Sequence, residues 1–143
     1  MSLVQRFQAY ADDFEHTYAD DDWSRLEQYF TEDAAYSTPT SGVLIAGREA
    51  ALGVLRGAVS GFDRLCDTRV LVTTKGPSEH GNEVVREWTA KYTLSGAPDL
   101  DMGGRERAVF RGDRIELLEV TLPTEVLSRF MQYVSQYILP RSA

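Results

Sequence analysis

The stretch Gly104 to Leu122, GRERAVFRGDRIELLEVTL, constrains the fold more than any other part of the chain. Apolar and charged residues alternate on both sides of Gly112-Asp113. Period-two alternation reads as strand, and Gly at the first central position of a two-residue turn suits a type II′ hairpin. With Arg111 and Arg114 flanking the turn, Phe110 faces Ile115, Ala108 faces Leu117 and Glu106 faces Glu119. The two glutamates then lie on the face that is otherwise apolar, with Cα atoms roughly 4.5 Å apart as in a non-hydrogen-bonded pair. Like charges directly opposed destabilise a sheet. In an apolar concavity both cannot ionise cheaply, so the pair would supply one acid and one base near neutral pH. Glu106 and Glu119 are therefore the expected catalytic residues. Three structural readings compete. A bulge would put one glutamate on each face. Glu119 could pair with an arginine such as Arg56. The pair could also lie at a solvated strand end.

The rest of the chain supplies helices first and strands later. Leu3, Phe7, Tyr10, Phe14 and Thr17/Tyr18 recur at helical spacing and predict a helix over 2–19, capped by Ser2. Asp20-Asp21-Asp22 precedes a second helix over 23–30. Consecutive aspartates point in different directions, so they read as caps and not as metal ligands. A short strand follows over 34–38, in which Tyr36 and Thr38 share a face. Pro39 ends it, and 40–46 is a loop. A third helix begins at Gly47, with Gly53 and Gly57 allowing close packing. From Asp67 the period becomes two. Strands are expected over 68–74 and 83–95, separated by a turn at 75–82. A loop over 96–103 leads into the hairpin. A symmetrical loop would bring Tyr92 near Glu106. Arg86, six residues from Tyr92, would lie roughly 20 Å off at about 3.3 Å per residue, and so would not neutralise the glutamates. The last helix is expected over about 123–139, as a lid on the mouth or a surface for a second subunit.

At 143 residues the chain fits one domain, 1–143, which can bury about 68–70% of its unfolded surface without disulfides. Cys66 is the single cysteine. An unpaired thiol fits a reducing compartment, and its neighbours Leu65 and Asp67 offer nothing to activate it. The formal net charge of −7 argues against nucleic acid and anionic membranes as partners. No apolar run approaches the ~20 residues of a membrane span, and MSLVQRFQAY lacks the apolar core of a signal peptide. A cytoplasmic location is the expectation. His16 and His80 fall on polar, solvated positions.

The helix pair around YADDDWSRLEQYF, then TEDAAYSTP, AGREAALGVL, REWTAKYTLSG and VFRGDRIELLEV, resembles in order and spacing the nuclear transport factor 2-like superfamily. That superfamily includes ketosteroid isomerases, SnoaL-type polyketide cyclases and limonene epoxide hydrolase. The resemblance implies an α+β fold, cystatin-like, with a curved antiparallel sheet forming a cone and helices on its concave face. The terminal helix lies outside the common pattern. The resemblance sets Phe14 at the isomerases' catalytic tyrosine, Thr38 at their base aspartate, and Glu106 at the acid that donates to an oxyanion. Arg86-Glu87-Trp88 is the nearest match to the hydrolase's Arg-x-Asp, with Trp in the Asp position. The expected ligand is a hydrophobic small molecule, lined by Tyr10, Phe14, Tyr36, Thr38, Trp88, Tyr92 and Phe110. General acid–base chemistry of the isomerase, cyclase or hydrolase kind is expected, with no cofactor and no metal. The competing reading is a non-catalytic ligand-binding or dimerisation domain. A homodimer is the expected assembly.

Overall fold

A computed structural model describes residues 1–142. The helical spacing of the N-terminal stretch builds α1, Leu3–Asp20, which buries Phe7, Tyr10, Ala11 and Thr17. Ser2 accepts from the Gln5 backbone while the Gln5 side chain accepts from the Ser2 backbone, closing a capping box. The helix stops at Asp21, whose φ of 62° is left-handed. Its neighbours Asp20 and Asp21 serve local structure. Asp20 binds Arg25, and Asp21 accepts from the Trp23 indole. A 3-10 helix, Trp23–Tyr29, replaces the expected α-helix and buries Trp23, Leu26 and Tyr29.

The sheet has six strands in the order β2-β1-β6-β5-β4-β3. These are β1 (Phe30–Ser37), β2 (Leu44–Ala46), β3 (Thr68–His80), β4 (Glu83–Thr93), β5 (Leu100–Arg111) and β6 (Arg114–Thr121). Neighbours are antiparallel save for the parallel β1–β6 pair. Between β2 and β3 lies α2, Arg48–Gly61. The sheet curves around the helices without closing, which is the expected α+β cone. Two expected loops are partly strand. β3 runs on through Lys75–His80 beside β4, with two irregular steps in register. β5 begins at Leu100, because Leu100 and Met102 bury themselves opposite Tyr92 and Ala90.

The decisive difference lies in the β5–β6 hairpin. Phe110 faces Ile115 as predicted, but Val109 faces Leu117, so Glu116 is an extra residue in β6. This bulge turns Leu118 and Val120 inward in place of Leu117 and Glu119. Burying two aliphatic side chains in place of one and a carboxylate is the physical reason for it. Arg111 braces the site by binding both Glu116 and Asp33.

The core forms two clusters. One gathers α1, the 3-10 helix, α2 and the turn end of the hairpin around Phe7, Tyr10, Phe30, Leu52, Ile115 and Leu118. The other gathers Phe62, Tyr92, Leu100, Met102, Tyr133 and Ile138. The last two come from the C-terminal helix α3, Thr124–Tyr133, which continues through a π-helical turn, Val134–Ile138, into Leu139–Ser142. No described helix is long and apolar enough to cross a membrane.

The glycines divide by role. A Cβ on Gly104 would meet the Thr121 carbonyl at 2.6 Å, Leu122 Cδ2 at 2.9 Å and Trp88 Cζ2 at 3.1 Å. A Cβ on Gly53 or Gly57 would meet nothing within 4 Å, so close packing does not require them. Denaturant unfolding should therefore show Gly104→Ala less stable by about 1–3 kcal/mol. Gly53→Ala should be more stable by up to about 1 kcal/mol.

Candidate functional site

A cavity of about 210 Å³ opens inside the cone. Both core clusters wall it, with Tyr10, Phe14, Leu55 and Val59 from α1 and α2, Trp88, Tyr92 and Met102 from the sheet, and Phe130 from α3. Phe130 packs edge-on against Phe62, with ring centroids 4.9 Å apart, and so α3 contributes a wall of the cavity. Pro39 and Thr40 reach it from the loop after β1. The charged side chains in this apolar wall belong to two ion-paired groups.

The first is Arg86 with Glu106. The two residues face one another across β4 and β5. Arg86 Nε donates to Glu106 Oε1 at 2.8 Å, and Nη2 approaches the same oxygen at 2.8 Å. The Arg86 and Glu106 side chains are 13% and 10% exposed, so this is a desolvated pair. The guanidinium also lies 5.3 Å from the centroid of the Phe7 ring and donates to Thr73. Arg86 is thus the partner that neutralises Glu106, contrary to the sequence-based expectation. A shorter β4–β5 connection than expected shifts the register and brings the two residues opposite each other.

Glu119 lies on the outer face, opposite Arg107 and 3.8 Å from its Nη1. The predicted Glu106–Glu119 pair does not form. Tyr92 also departs from expectation, facing Leu100 far along β4 from Glu106. Phe110 and Tyr36 are buried in the first core cluster, and neither they nor Thr38 line the cavity, contrary to expectation. The Thr38 hydroxyl is engaged with Ser41 and the Val43 carbonyl.

The second group is Asp63 with Arg69, Glu15 and Tyr92. Arg69 Nε donates to Asp63 Oδ2 at 2.9 Å, and the Tyr92 hydroxyl donates to the same oxygen at 3.3 Å. Arg69 also forks onto Glu15, with contacts of 2.6 and 3.2 Å. Burial pushes the Asp63 carboxyl above the usual carboxylate range, against the pull of Arg69. Burial first, and then the Asp63 charge, push the Tyr92 phenol up as well. Asp63 begins a 3-10 turn, Asp63–Leu65, just after α2. Nothing in its local sequence marks it, because its partners come from α1, β3 and β4.

Two tyrosines complete the surroundings of Glu106. Tyr10 and Tyr36 are buried, and neither hydroxyl hydrogen-bonds to another described residue. Both phenols are pushed up, by burial first and by the Glu106 charge next. Asp63 also raises Tyr36, so this ring feels both carboxylates. Protonated phenols of this kind are hydrogen-bond donors. Among buried side-chain atoms of the described residues, only Thr31 Oγ1 and Arg64 Nε lack both solvent and a partner. Cys66 is buried, and burial first and the Asp63 charge next push its thiol up to about 11. Among the described residues, no three His, Cys, Asp or Glu side chains could hold a metal ion.

Residues 9–120 match the family described as the SnoaL-like domain. The chain belongs to the SnoaL-like family. Solved structures agree on the fold. A steroid delta-isomerase from Pseudomonas aeruginosa is 18% identical with a TM-score of 0.62, covering 96% of this SnoaL-like chain and 94% of that chain. An NTF2-like protein from Burkholderia pseudomallei is 12% identical with a TM-score of 0.67, covering 92% and 97%. The epoxide hydrolase/cyclase-like enzyme SalBIII, described for pyran ring formation in the polyether salinomycin, is 14% identical with a TM-score of 0.61, covering 85% and 94%. A comparison with curated proteins finds no match. The SnoaL-like match ends before α3, so the Phe130 wall is supplied from outside the matched span.

The two polar groups predict two behaviours. Arg86→Met leaves Glu106 buried without its counterion and should cost about 3–5 kcal/mol in denaturant unfolding. The double variant Arg86→Met/Glu106→Leu should recover much of that loss. Asp63 should titrate above the ordinary Asp value of about 3.9 in carboxyl NMR. Since its folded value is raised, its contribution to stability is fullest below the ordinary value and falls as pH rises to the folded value. Asp63→Asn should remove that pH dependence.

Proposed function

We propose that this SnoaL-like chain is a small-molecule enzyme in which Glu106 moves a proton on an apolar molecule held in the cavity. The observation that carries the reading is that Tyr10 and Glu106 share the apolar cavity wall, and that the Tyr10 hydroxyl has no described hydrogen-bond partner. The hydroxyl is not among the atoms that lack both solvent and a partner, so it is open to a ligand oxygen that accepts from it. Arg86 engages Oε1 of Glu106, which leaves Oε2 to meet the reacting atom. Tyr10 would then donate to the oxygen on which negative charge develops. Tyr10 stands one helical turn before Phe14, so the same helix still offers a phenol. The flat walls of Trp88 and Phe14 suit an alicyclic or aromatic body. Proton transfer beside a carbonyl, or opening of an epoxide, fits this set of groups.

One observation favours a non-catalytic binding role. Glu106 is already held by Arg86, and Thr38 is engaged in its own loop. We take the chain as one domain with α3 appended, cytoplasmic as its unpaired Cys66 suggests. Self-association through the outer face of β3, where Val70 and Val72 stand exposed, is part of the same proposal.

A panel of β,γ-unsaturated ketones and alicyclic epoxides tests the enzyme reading. Turnover of an accepted compound should fall about 10²–10⁴-fold in Glu106→Gln and should be unchanged in Glu119→Gln. Tight binding of panel members with no turnover of any would select the binding role.

A further inference from the structure

The Asp63 corner holds more carboxylate than its own architecture requires. Arg69 is already matched by Glu15 through a two-pronged contact. Asp63 adds a second carboxylate to the same guanidinium, through Nε alone. The two side-chain donors to its carboxylate, Arg69 and Tyr92, both reach Oδ2. The local structural contact of Asp63 runs through its backbone, whose carbonyl accepts from Tyr18. A second buried carboxylate beside a guanidinium already balanced costs folding free energy. The side chain is nonetheless 17% exposed, and what it lines is the cavity.

This corner and the Glu106 corner are separated along β4, because Tyr92 and Arg86 are six residues apart on that strand. Between them lies an apolar stretch of wall that includes Trp88. The cavity is therefore polar at two ends and apolar between. Its charged lining consists of the three carboxylates Glu15, Asp63 and Glu106 and the two guanidiniums Arg69 and Arg86. That excess of negative charge disfavours an anionic ligand. A guanidinium stands at each carboxylate, which disfavours a cation there.

We propose that Asp63 is a second ligand-contacting residue, accepting a hydrogen bond from the bound molecule. The molecule is then neutral and compact, with a ring body, an oxygen function at the Glu106 end and a hydroxyl at the Asp63 end. The oxygen function meets Glu106 and Tyr10, and the hydroxyl meets Asp63 beside Tyr92. This rests on the reading of the cavity as a small-molecule site and adds to it the polarity of the ligand.

The test is a matched series of biphenyl, 4-phenylphenol, 4,4′-dihydroxybiphenyl and 4′-hydroxybiphenyl-4-carboxylate, titrated by calorimetry against the full chain. Each hydroxyl should tighten binding about tenfold, and the carboxylate should bind more weakly than the diol. Asp63→Asn should erase the gain from the second hydroxyl while leaving the affinity of 4-phenylphenol unchanged. Tyr92→Phe, which keeps the carboxylate, should retain part of it. Intermolecular NOEs from the diol should reach both Tyr10 and Tyr92, and this readout needs no variant. Equal binding of 4-phenylphenol and the diol would overturn the two-ended ligand and leave the small-molecule cavity standing. Tightest binding by the carboxylate would do the same. No binding by any member would overturn both.

Discussion

The ion pair between Arg86 and Glu106 is the constraint around which this cone is arranged. Two charged side chains face each other across the centre of the sheet's concave side, where a packed core would otherwise run unbroken. Each makes the burial of the other tolerable, and neither could stay there alone. The apolar residues around them cannot run on through the pair. The core instead gathers into two clusters, and the cavity opens along the surface that both present.

The backbone around the pair follows from the same need. Register between β4 and β5 is fixed by setting Arg86 opposite Glu106, and that register sets Trp88 opposite Gly104. Only a residue without a Cβ lets the indole and the Thr121 carbonyl come so near. The bulge at Glu116 then brings Val120 into place opposite Glu106, so that an aliphatic residue flanks the carboxylate. At the other end, α3 adds Phe130 to the wall and is tied down by polar contacts. The Tyr133 hydroxyl donates to the Pro98 carbonyl and Arg129 to the Asp101 carbonyl.

Much of this was legible in the sequence, and the part that was not has a common cause. The apolar stripe of α1, the alternation of β4 and β5, and the hairpin turn at Gly112-Asp113 are local signals, and each produced its element. The order of those elements was enough to indicate the family. Glu106, Tyr10, Phe14, Trp88 and Tyr92 were expected at the cavity and line it. The failures were failures of register. One extra residue in β6 removed Glu119 from the inner face. A β4–β5 connection shorter than expected exchanged Tyr92 for Arg86 as the neighbour of Glu106. A one-residue slip reverses every side chain in a strand. The clue to the bulge was present in Leu118 and Val120, which keep the inner face apolar only if Glu116 is skipped.

Asp63 shows the limit most plainly. It is an unremarked aspartate after a helix, and its partners Tyr18, Arg69 and Tyr92 are scattered over three elements. The sequence by itself determined the α+β architecture, the family and the presence of an apolar interior with Glu106 in it, because these depend on periodicity and on the order of elements. Only the tertiary structure decided which charges meet. Pairing in a sheet is set by long-range register and loop closure, and two residues far apart in the chain carry no local sign that burial will make them neighbours.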